Sequence, residues 1–332
     1  MNIGYLGAGS WATCLASLLA SKGHEVTVWA RNTALANEVT ATRNHPHLPG
    51  ATIPDNVRFT TDLADVVKGK ELLVEGVTSA GVRPVFEEVK RLGVPSCPIV
   101  ITSKGIEQNT GMLFSDVIAD VFGESMRAQI GCLSGPSHAE EVVMGLPTSV
   151  VCSAYNNEVM HLIQQTFTTH SFRVYPNSDI AGIEFCGAMK NVIAIACGIS
   201  DGIGFGDNSK AALLTRGLHE MRKLAVTKGC RSETLNGLAG MGDLCVTCFS
   251  PHSRNYKFGR LLAQGLSMEK AREKIGMVVE GCYSCVSVRQ LGKKNHVPLP
   301  ITEAVYAILY ENLTPKDAVK QLLQRAIKEE HL

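Results

Sequence analysis

The sequence predicts an α/β fold, an N-terminal doubly wound parallel sheet followed by an all-α C-terminal domain. Three observations carry that expectation. Over the first half, short apolar runs alternate with helical or loop stretches, the pattern of βα units whose parallel strands need crossover connections. From about Gly182 the hydrophobic spacing changes, with Ile183, Gly187, Lys190 and Ala194 falling on one helix face. The chain has 332 residues, and domains run to roughly 100–200 residues, so about two are expected.

Asn2–Leu6 is the first apolar run, followed by Gly7-Ala8-Gly9-Ser10-Trp11-Ala12, an amphipathic stretch from Thr13 to Ser21 closed by Gly23, and a second strand at Glu25–Ala30. The unit is a βαβ of about 30 residues, the context in which a G-x-G-x-x-G/A match has meaning. Gly7 permits the tight turn, Gly9 lets a pyrophosphate approach the backbone, and Ala12 is small enough for the helix to pack against the strand. The free N–H groups at the helix start then bind phosphate. A glycine turn without a ligand is the plainer alternative. The expected architecture is thus a Rossmann sheet that binds a dinucleotide. At the end of the second strand, where an acid would hold a ribose 2′-hydroxyl, the chain has Arg31. A guanidinium there accepts a 2′-phosphate or stacks on adenine, so NADP(H) is allowed beside NAD(H); a solvated surface charge is the alternative.

Further strands are expected at 72–74, 99–102, 130–133 and 148–151. Ligands of such sheets sit at the carboxyl ends of strands, where three polar clusters fall: Glu75 to Ser79, Ser103-Lys104-Gly105, and Ser134-Gly135-Pro136-Ser137-His138. Lys104 is expected to overlook the cofactor crevice, unless it is an ordinary surface cation. The domain boundary is placed near Phe185, giving a dinucleotide-binding domain over 1–185 and a helical substrate-binding and catalytic domain over 186–332. Apolar periodicity marks helices at 211–228, 257–264 and 301–310.

Two clusters in the helical half point to chemistry. Lys190 lies in the apolar stretch Cys186-Gly187-Ala188-Met189-Lys190-Asn191-Val192; an ammonium there either snorkels to solvent or is retained because it works. Gly240-Met241-Gly242-Asp243 brings a carboxylate into a glycine-flanked turn, and Ser253-Arg254-Asn255 precedes an expected helix. Hydroxyl, guanidinium and amide before a helix form a phosphate clamp or, more plainly, a helix cap with a surface arginine.

Composition narrows the partners. Thirty-two basic against 31 acidic residues leave a formal charge of +1, with no single-sign run to bind nucleic acid or anionic lipid. The apolar stretch Asn191–Ser200 is ten residues long, against about 20 needed to cross a bilayer, and neither the first residues nor Glu330-His331-Leu332 suggest a targeting signal. A cytoplasmic protein is expected. The eleven cysteines are read mostly as reduced core residues. The pairs Cys245/Cys248 and Cys282/Cys285 are separated by 33 residues, 249 to 281, longer than the usual 15–20 of a zinc ribbon, so no metal is expected.

Taken together, Gly-Ala-Gly-Ser-Trp-Ala at 7–12, Trp29-Ala30-Arg31, Ser103-Lys104-Gly105-Ile106-Glu107, Leu133 to Ser137, Gly187 to Val192, Gly206-Asp207-Asn208, Gly237 to Asp243, Ser253-Arg254-Asn255 and Val278-Val279-Glu280-Gly281 resemble NAD(P)-dependent sn-glycerol-3-phosphate dehydrogenase of the bacterial type. The match runs in order over nearly the whole chain. The resemblance implies a cytoplasmic homodimer that reversibly reduces dihydroxyacetone phosphate to sn-glycerol 3-phosphate for glycerophospholipid synthesis. It makes Lys190 the proton donor and acceptor, in a catalytic set with Lys104 and Asp243. Substrate contacts are implied for Lys104, Gly135, Ser137, Lys190, Asp243, Ser253, Arg254 and Asn255, and cofactor contacts for Ser10, Trp11, Arg31, Lys104, Ala139, Arg254, Val278 and Glu280, beside Gly7, Gly9 and Ala12 of the turn. One departure stands out: where the family often carries Val-Pro-Ser after the fourth strand, this chain has Glu75-Gly76-Val77-Thr78-Ser79. The competing readings are a related two-domain dehydrogenase of a hydroxy acid or ketopantoate, a catalytically silent dinucleotide sensor, and a zinc-binding module.

Overall fold

The computed structural model describes residues 1–327, 329 and 330; Lys328, His331 and Leu332, the last of the expected helical domain, lie outside the described residues. The chain divides into two units, Met1–Ser103 with Met112–Ile180, and Lys104–Gly111 with Ala181–Leu332. The division falls a few residues before Phe185 because the first helix of the second unit already begins at Ile180. The excursion of Lys104–Gly111 into the second unit had no sequence signal.

The first unit is one eight-stranded sheet: β1 (Asn2–Leu6), β2 (Glu25–Trp29), β3 (Val57–Thr60), β4 (Leu72–Glu75), β5 (Ile99–Ile101), β6 (Ile130–Ser134), β7 (Thr148–Ala154) and β8 (Phe172–Pro176). Its order is β3-β2-β1-β4-β5-β6-β7-β8. Helices α1 (Ser10–Ser21), α2 (Thr33–Thr42), α3 (Leu63–Val67), α4 (Val82–Leu92), α5 (Phe114–Phe122), α6 (Ala139–Val143) and α7 (Asn157–Phe167) connect the strands. The central strands read as apolar runs because both faces are covered: β4 and β6 are buried along their whole length. Strand order reverses at β1 and β4, and the crevice outside the carboxyl ends of two such strands is where doubly wound sheets take their ligands.

All neighbouring pairs are parallel except β6 and β7, which pair antiparallel. A wholly parallel sheet was expected. The β6–β7 connection carries the five-residue α6 and leaves β7 to run back along β6. The edge strands β3 and β8 were not expected either. Arg58 and Arg173 interrupt their apolar residues, and each shows the alternating burial of a strand with one wet face.

The second unit is helical: α8 (Ile180–Ile203), α9 (Asp207–Val226), α10 (Ser232–Asn236), α11 (Asp243–Phe249), α12 (Arg254–Ala263), α13 (Met268–Ile275), α14 (Glu280–Lys294), α15 (Pro300–Tyr310) and α16 (Pro315–Leu323). At 24 residues and a mean hydropathy of 1.5 over its best window, α8 is long and apolar enough to cross a membrane, but 89% of that window is buried within the protein. It is the axis of the helical core, more than twice the length of the ten-residue stretch singled out in the sequence. Glycines bring α12 onto it: a Cβ on Gly198 would lie 2.1 Å from the Tyr256 carbonyl oxygen, and one on Gly259 would lie 2.2 Å from that of Ile195. Elsewhere Glu220 of α9 accepts the N–H groups of Ile301 and Thr302 at the start of α15, satisfying donors that every helix leaves open at its N-terminus.

The close α8–α12 approach makes a simple prediction. Gly198→Ala improves helix propensity by about 1 kcal/mol, yet it places a methyl group against backbone that cannot move aside, so stability should fall by about 1–3 kcal/mol net. Urea unfolding checks this, and an unchanged or raised midpoint would contradict the packing described.

Candidate active site

The centre of the second unit is an ion cluster built on three separate segments. Lys190 sits in the middle of α8, so the helix fixes its backbone and the apolar neighbours deny it water; it is 6% exposed. Asp243 begins α11 directly after a π-helical turn, Leu238–Gly242, a geometry often found at functional sites. That turn requires glycine at 240, where a Cβ would meet the Leu235 carbonyl oxygen at 2.0 Å. Asp243 is 1% exposed, and its two carboxylate oxygens are divided between two lysines. Oδ1 accepts from Lys190 Nζ at 2.5 Å and Oδ2 from Lys104 Nζ at 2.7 Å. Lys190 also donates to Thr247 Oγ1 at 2.8 Å, and Thr247 donates in turn to the Asp243 carbonyl at 2.6 Å.

Burial disfavours the charged form of Lys190 and, with the nearby Lys104 ammonium adding to the effect, lowers its pKa to about 7; Asp243 opposes the shift. Burial pushes the Asp243 carboxyl up, but the two ammonium groups outweigh it and hold the group below its ordinary value. The result is a permanent carboxylate holding a lysine that exchanges its proton near neutrality. In sequence the outcome was undecided, because desolvation and the aspartate act in opposite directions.

Thr247 was missed in the sequence. Its signal was its place four residues after Asp243, on the same face of α11, where the two are the polar residues among apolar ones and cysteines. Lys104 groups with the second unit, its ammonium on Asp243.

The Ser253-Arg254-Asn255 segment combines both readings open to it in sequence. Ser253 caps α12, its Oγ accepting the Tyr256 N–H at 3.2 Å. Arg254 is half-buried and donates to the Val278 carbonyl at 3.0 Å. Asn255 is buried; it donates to Asn191 Oδ1 and accepts the Gly281 N–H, both at 2.9 Å. It therefore ties α12 to α8, beside Lys190, and to the start of α14. Val278 is exposed, and Glu280 is the first residue of α14.

In the first unit the glycine turn has the features a dinucleotide needs. Gly7 has φ +109°, and a Cβ there would lie 2.6 Å from the Gly76 carbonyl oxygen. Gly9 is the N-cap of α1 and provides no side-chain cap, and a Cβ on it would meet nothing within 4 Å. The first N–H groups of α1 thus open onto free space, which suits a pyrophosphate. Ser10 and Ala12 are buried in the first turn of the helix, and the buried Trp11 Nε1–H has no partner among the described residues. Arg31 is exposed just beyond β2. Gly135, at φ +139°, follows β6; Ser137 donates to its carbonyl at 2.9 Å, and Ala139 opens α6. These three belong to the first unit, not to the unit of Lys190.

His45 was also missed. Its Nδ1 accepts the His47 N–H at 3.1 Å, which leaves the proton on Nε2 to be donated to the Ala8 carbonyl, also at 3.1 Å. The buried ring, its pKa lowered by burial, thus pins the glycine turn from 37 residues along the chain, a separation no local pattern encodes.

Among the described residues no group of three or more His, Cys, Asp or Glu is arranged to hold a metal. Cys282 and Cys285 lie buried in α14, and Cys248 is buried in α11.

A doubly wound nucleotide-type sheet and a helical unit with a buried lysine–aspartate pair define a two-domain dinucleotide-dependent dehydrogenase. Comparison with known proteins narrows the class. The profile for the NAD-dependent glycerol-3-phosphate dehydrogenase N-terminus matches residues 2–160, and that for the C-terminus of the same enzymes matches 179–320. The chain is 60% identical to the glycerol-3-phosphate dehydrogenase [NAD(P)+] of Protochlamydia amoebophila and 55% to that of Chlamydia pneumoniae, in each case over 100% of this chain and 99% of the relative. It is also similar to the crystal structure of glycerol-3-phosphate dehydrogenase from Coxiella burnetii, with a TM-score of 0.93 and 38% identity over 98% of this chain and 99% of that one. The chain belongs to the NAD-dependent glycerol-3-phosphate dehydrogenase family and is an NAD(P)-dependent oxidoreductase.

The shared carboxylate has a thermodynamic signature. Asp243→Asn leaves Lys190 and Lys104 without their counter-ion, and breaking a buried pair costs about 3–5 kcal/mol. Lys190 titrates at about 7 when folded, well below the ordinary lysine range, so its charge is present in the folded protein only at lower pH. The destabilisation should be largest below pH 7 and shrink as pH rises through that value. Denaturant unfolding of the variant and the parent at pH 6 and pH 9 checks this; an equal difference at both would contradict it.

Proposed function

We propose that the protein catalyses the reversible NAD(P)H-dependent reduction of dihydroxyacetone phosphate to sn-glycerol 3-phosphate. The observation that carries the chemistry is the buried Lys190, held by Asp243 and Thr247 and titrating at about 7. The dinucleotide supplies a hydride to the ketone carbon when bound. An ammonium has three N–H donors; Asp243 and Thr247 take two of those on Lys190, and the third polarises the ketone oxygen and then delivers its proton to the forming alkoxide. In the oxidation direction the neutral amine takes that proton back. Asp243 keeps the amine in place and Lys104 adds positive charge for the anionic substrate.

Arg254 and Ser253 bind the phosphate, with Lys104, Gly135 and Ser137 contributing further contacts. Asn255 has one amide N–H beyond the bonds to Asn191 and Gly281 and chiefly holds the segment in place. Gly7, Gly9, Ser10, Trp11 and Ala12 cradle the pyrophosphate end of the cofactor, Arg31 meets the adenosine ribose or its 2′-phosphate, and Lys104, Ala139, Arg254, Val278 and Glu280 complete the cofactor contacts. The open N-terminus of α1 and the unpartnered Trp11 N–H support the cofactor part of this reading. We further infer a cytoplasmic homodimer that supplies glycerol 3-phosphate to glycerophospholipid synthesis. That inference rests on the family resemblance and on a net charge near zero.

Loss of absorbance at 340 nm with dihydroxyacetone phosphate, run with NADH and with NADPH and against unphosphorylated dihydroxyacetone, tests the reaction. Phosphate-dependent oxidation is expected; no turnover by protein that binds the cofactor would move the assignment to a hydroxy-acid dehydrogenase or a silent sensor. Lys190→Ala should lower kcat by about 10²–10⁴-fold with cofactor binding retained. Arg254→Ala should raise KM for the phosphate substrate by about ten- to a hundredfold, the value of a charged hydrogen bond. Reduction requires protonated Lys190, so kcat/KM for the ketone should fall as pH rises above about 7, while that for glycerol phosphate oxidation rises. A reduction profile flat from pH 6 to 9 would contradict the assigned role of Lys190.

A further inference from the structure

The residue at which the chain departs from the familiar Val-Pro-Ser, Glu75, is a carboxylic acid with no exposed surface at the carboxyl end of β4. A buried acid persists only where donors meet it, and this one is met on both oxygens. Oε1 accepts the Val77 N–H at 2.8 Å; Oε2 accepts the Ser103 hydroxyl at 2.7 Å and the Ser103 N–H at 3.3 Å. Its backbone carbonyl accepts both the N–H and the hydroxyl of Thr102, whose hydroxyl also meets the Tyr5 hydroxyl at 3.1 Å. One side chain therefore clasps the first residues of two loops, those leaving β4 and β5.

The first of these loops is the wall of the glycine turn. The Gly76 N–H donates to the Leu6 carbonyl at 2.9 Å, and the Gly76 carbonyl is the atom that Gly7 must be a glycine to approach. A Cβ on Gly76 would meet Tyr5 Cε1 at 2.7 Å and Ala12 Cβ at 3.2 Å, so its Cα packs against the end of β1 and the first turn of α1. A displacement of the 76–77 peptide moves the floor on which the turn rests. In the second loop Ser103 is followed directly by Lys104.

We propose that Glu75 is a positioning residue for the dinucleotide, whose carboxylate fixes the 76–77 peptide against the glycine turn by bridging Val77 to Ser103. The proposal rests on the dinucleotide reading of that turn. Burial raises the Glu75 pKa to about 7 against the pull of the Ser103 and Val77 donors, and above that pH the carboxylate can do this because both its oxygens accept; a carboxamide presents one oxygen and one NH₂, which opposes the N–H of either Val77 or Ser103.

The test is titration of the purified protein with NADPH, followed by its fluorescence, with kcat measured at saturating cofactor. Glu75→Gln should raise the NADPH Kd about tenfold, the cost of leaving a buried donor unmet, and change kcat much less than Kd. Ser103→Ala removes one of the same bonds and should raise Kd about threefold. The double variant should bind no more weakly than Glu75→Gln alone, because both changes act through one bridge. Parent protein that does not bind NADPH would remove the dinucleotide reading itself. Parent that binds, with folded Glu75→Gln binding equally well, would overturn the role of Glu75 alone, as would strictly additive losses in the double variant. Should Glu75→Gln fail to fold, Ser103→Ala decides: a raised Kd supports the bridge and an unchanged one overturns it.

Discussion

The structure depends on one carboxylate serving two ammonium groups away from water. Asp243 alone would be protonated by its burial, and Lys190 alone would lose its proton or be driven from the core. Together with Lys104 they settle into a state neither reaches separately, with Asp243 charged and Lys190 titrating at about 7. The group that exchanges a proton is thus tuned by what surrounds it, and the group that tunes it is fixed by helices rather than loops.

Much of the helical unit serves that geometry. Lys190 is carried by the most deeply buried helix of the unit, and the glycine contacts between α8 and α12 bring the two helices to backbone distance, with Asn255 on Asn191 beside Lys190. The π-helical turn before α11 aims Asp243, and Thr247, one turn later, spans the lysine and the Asp243 carbonyl. Buried polar groups of this kind are costly unless every member is paired, and here each hydrogen bond also orients a neighbour. In the sheet unit, His45 and Glu75 have the same relation to the glycine turn: each fixes backbone that touches it, from a distant point in the sequence.

What was legible in the sequence follows from how local each signal is. The glycine turn, β1 and β2 are encoded within 30 consecutive residues and were found nearly to the residue. The expected helix ends at 211–228, 257–264 and 301–310 fell within four residues of α9, α12 and α15. The edge strands β3 and β8 escaped because a half-wet strand of four or five residues interrupted by arginine looks like a loop. The antiparallel β6–β7 pair depends on a connection whose path no periodicity records. Lys190 and Asp243 could be singled out by type and setting, but their pairing, 53 residues apart, became visible only with the fold. The same holds for Lys104, whose partner lies 139 residues away.

The central claim is that the protein holds Lys190 poised to exchange its proton near neutrality. The most direct measurement is the NMR titration of the lysine side-chain signals of isotopically labelled protein, with Lys190 assigned by its absence in a Lys190→Met variant. The account predicts a midpoint near 7 for that resonance. A midpoint in the ordinary lysine range, near 10.4, would mean that Asp243 outweighs burial, and that the lysine is a fixed charge rather than the group that delivers the proton.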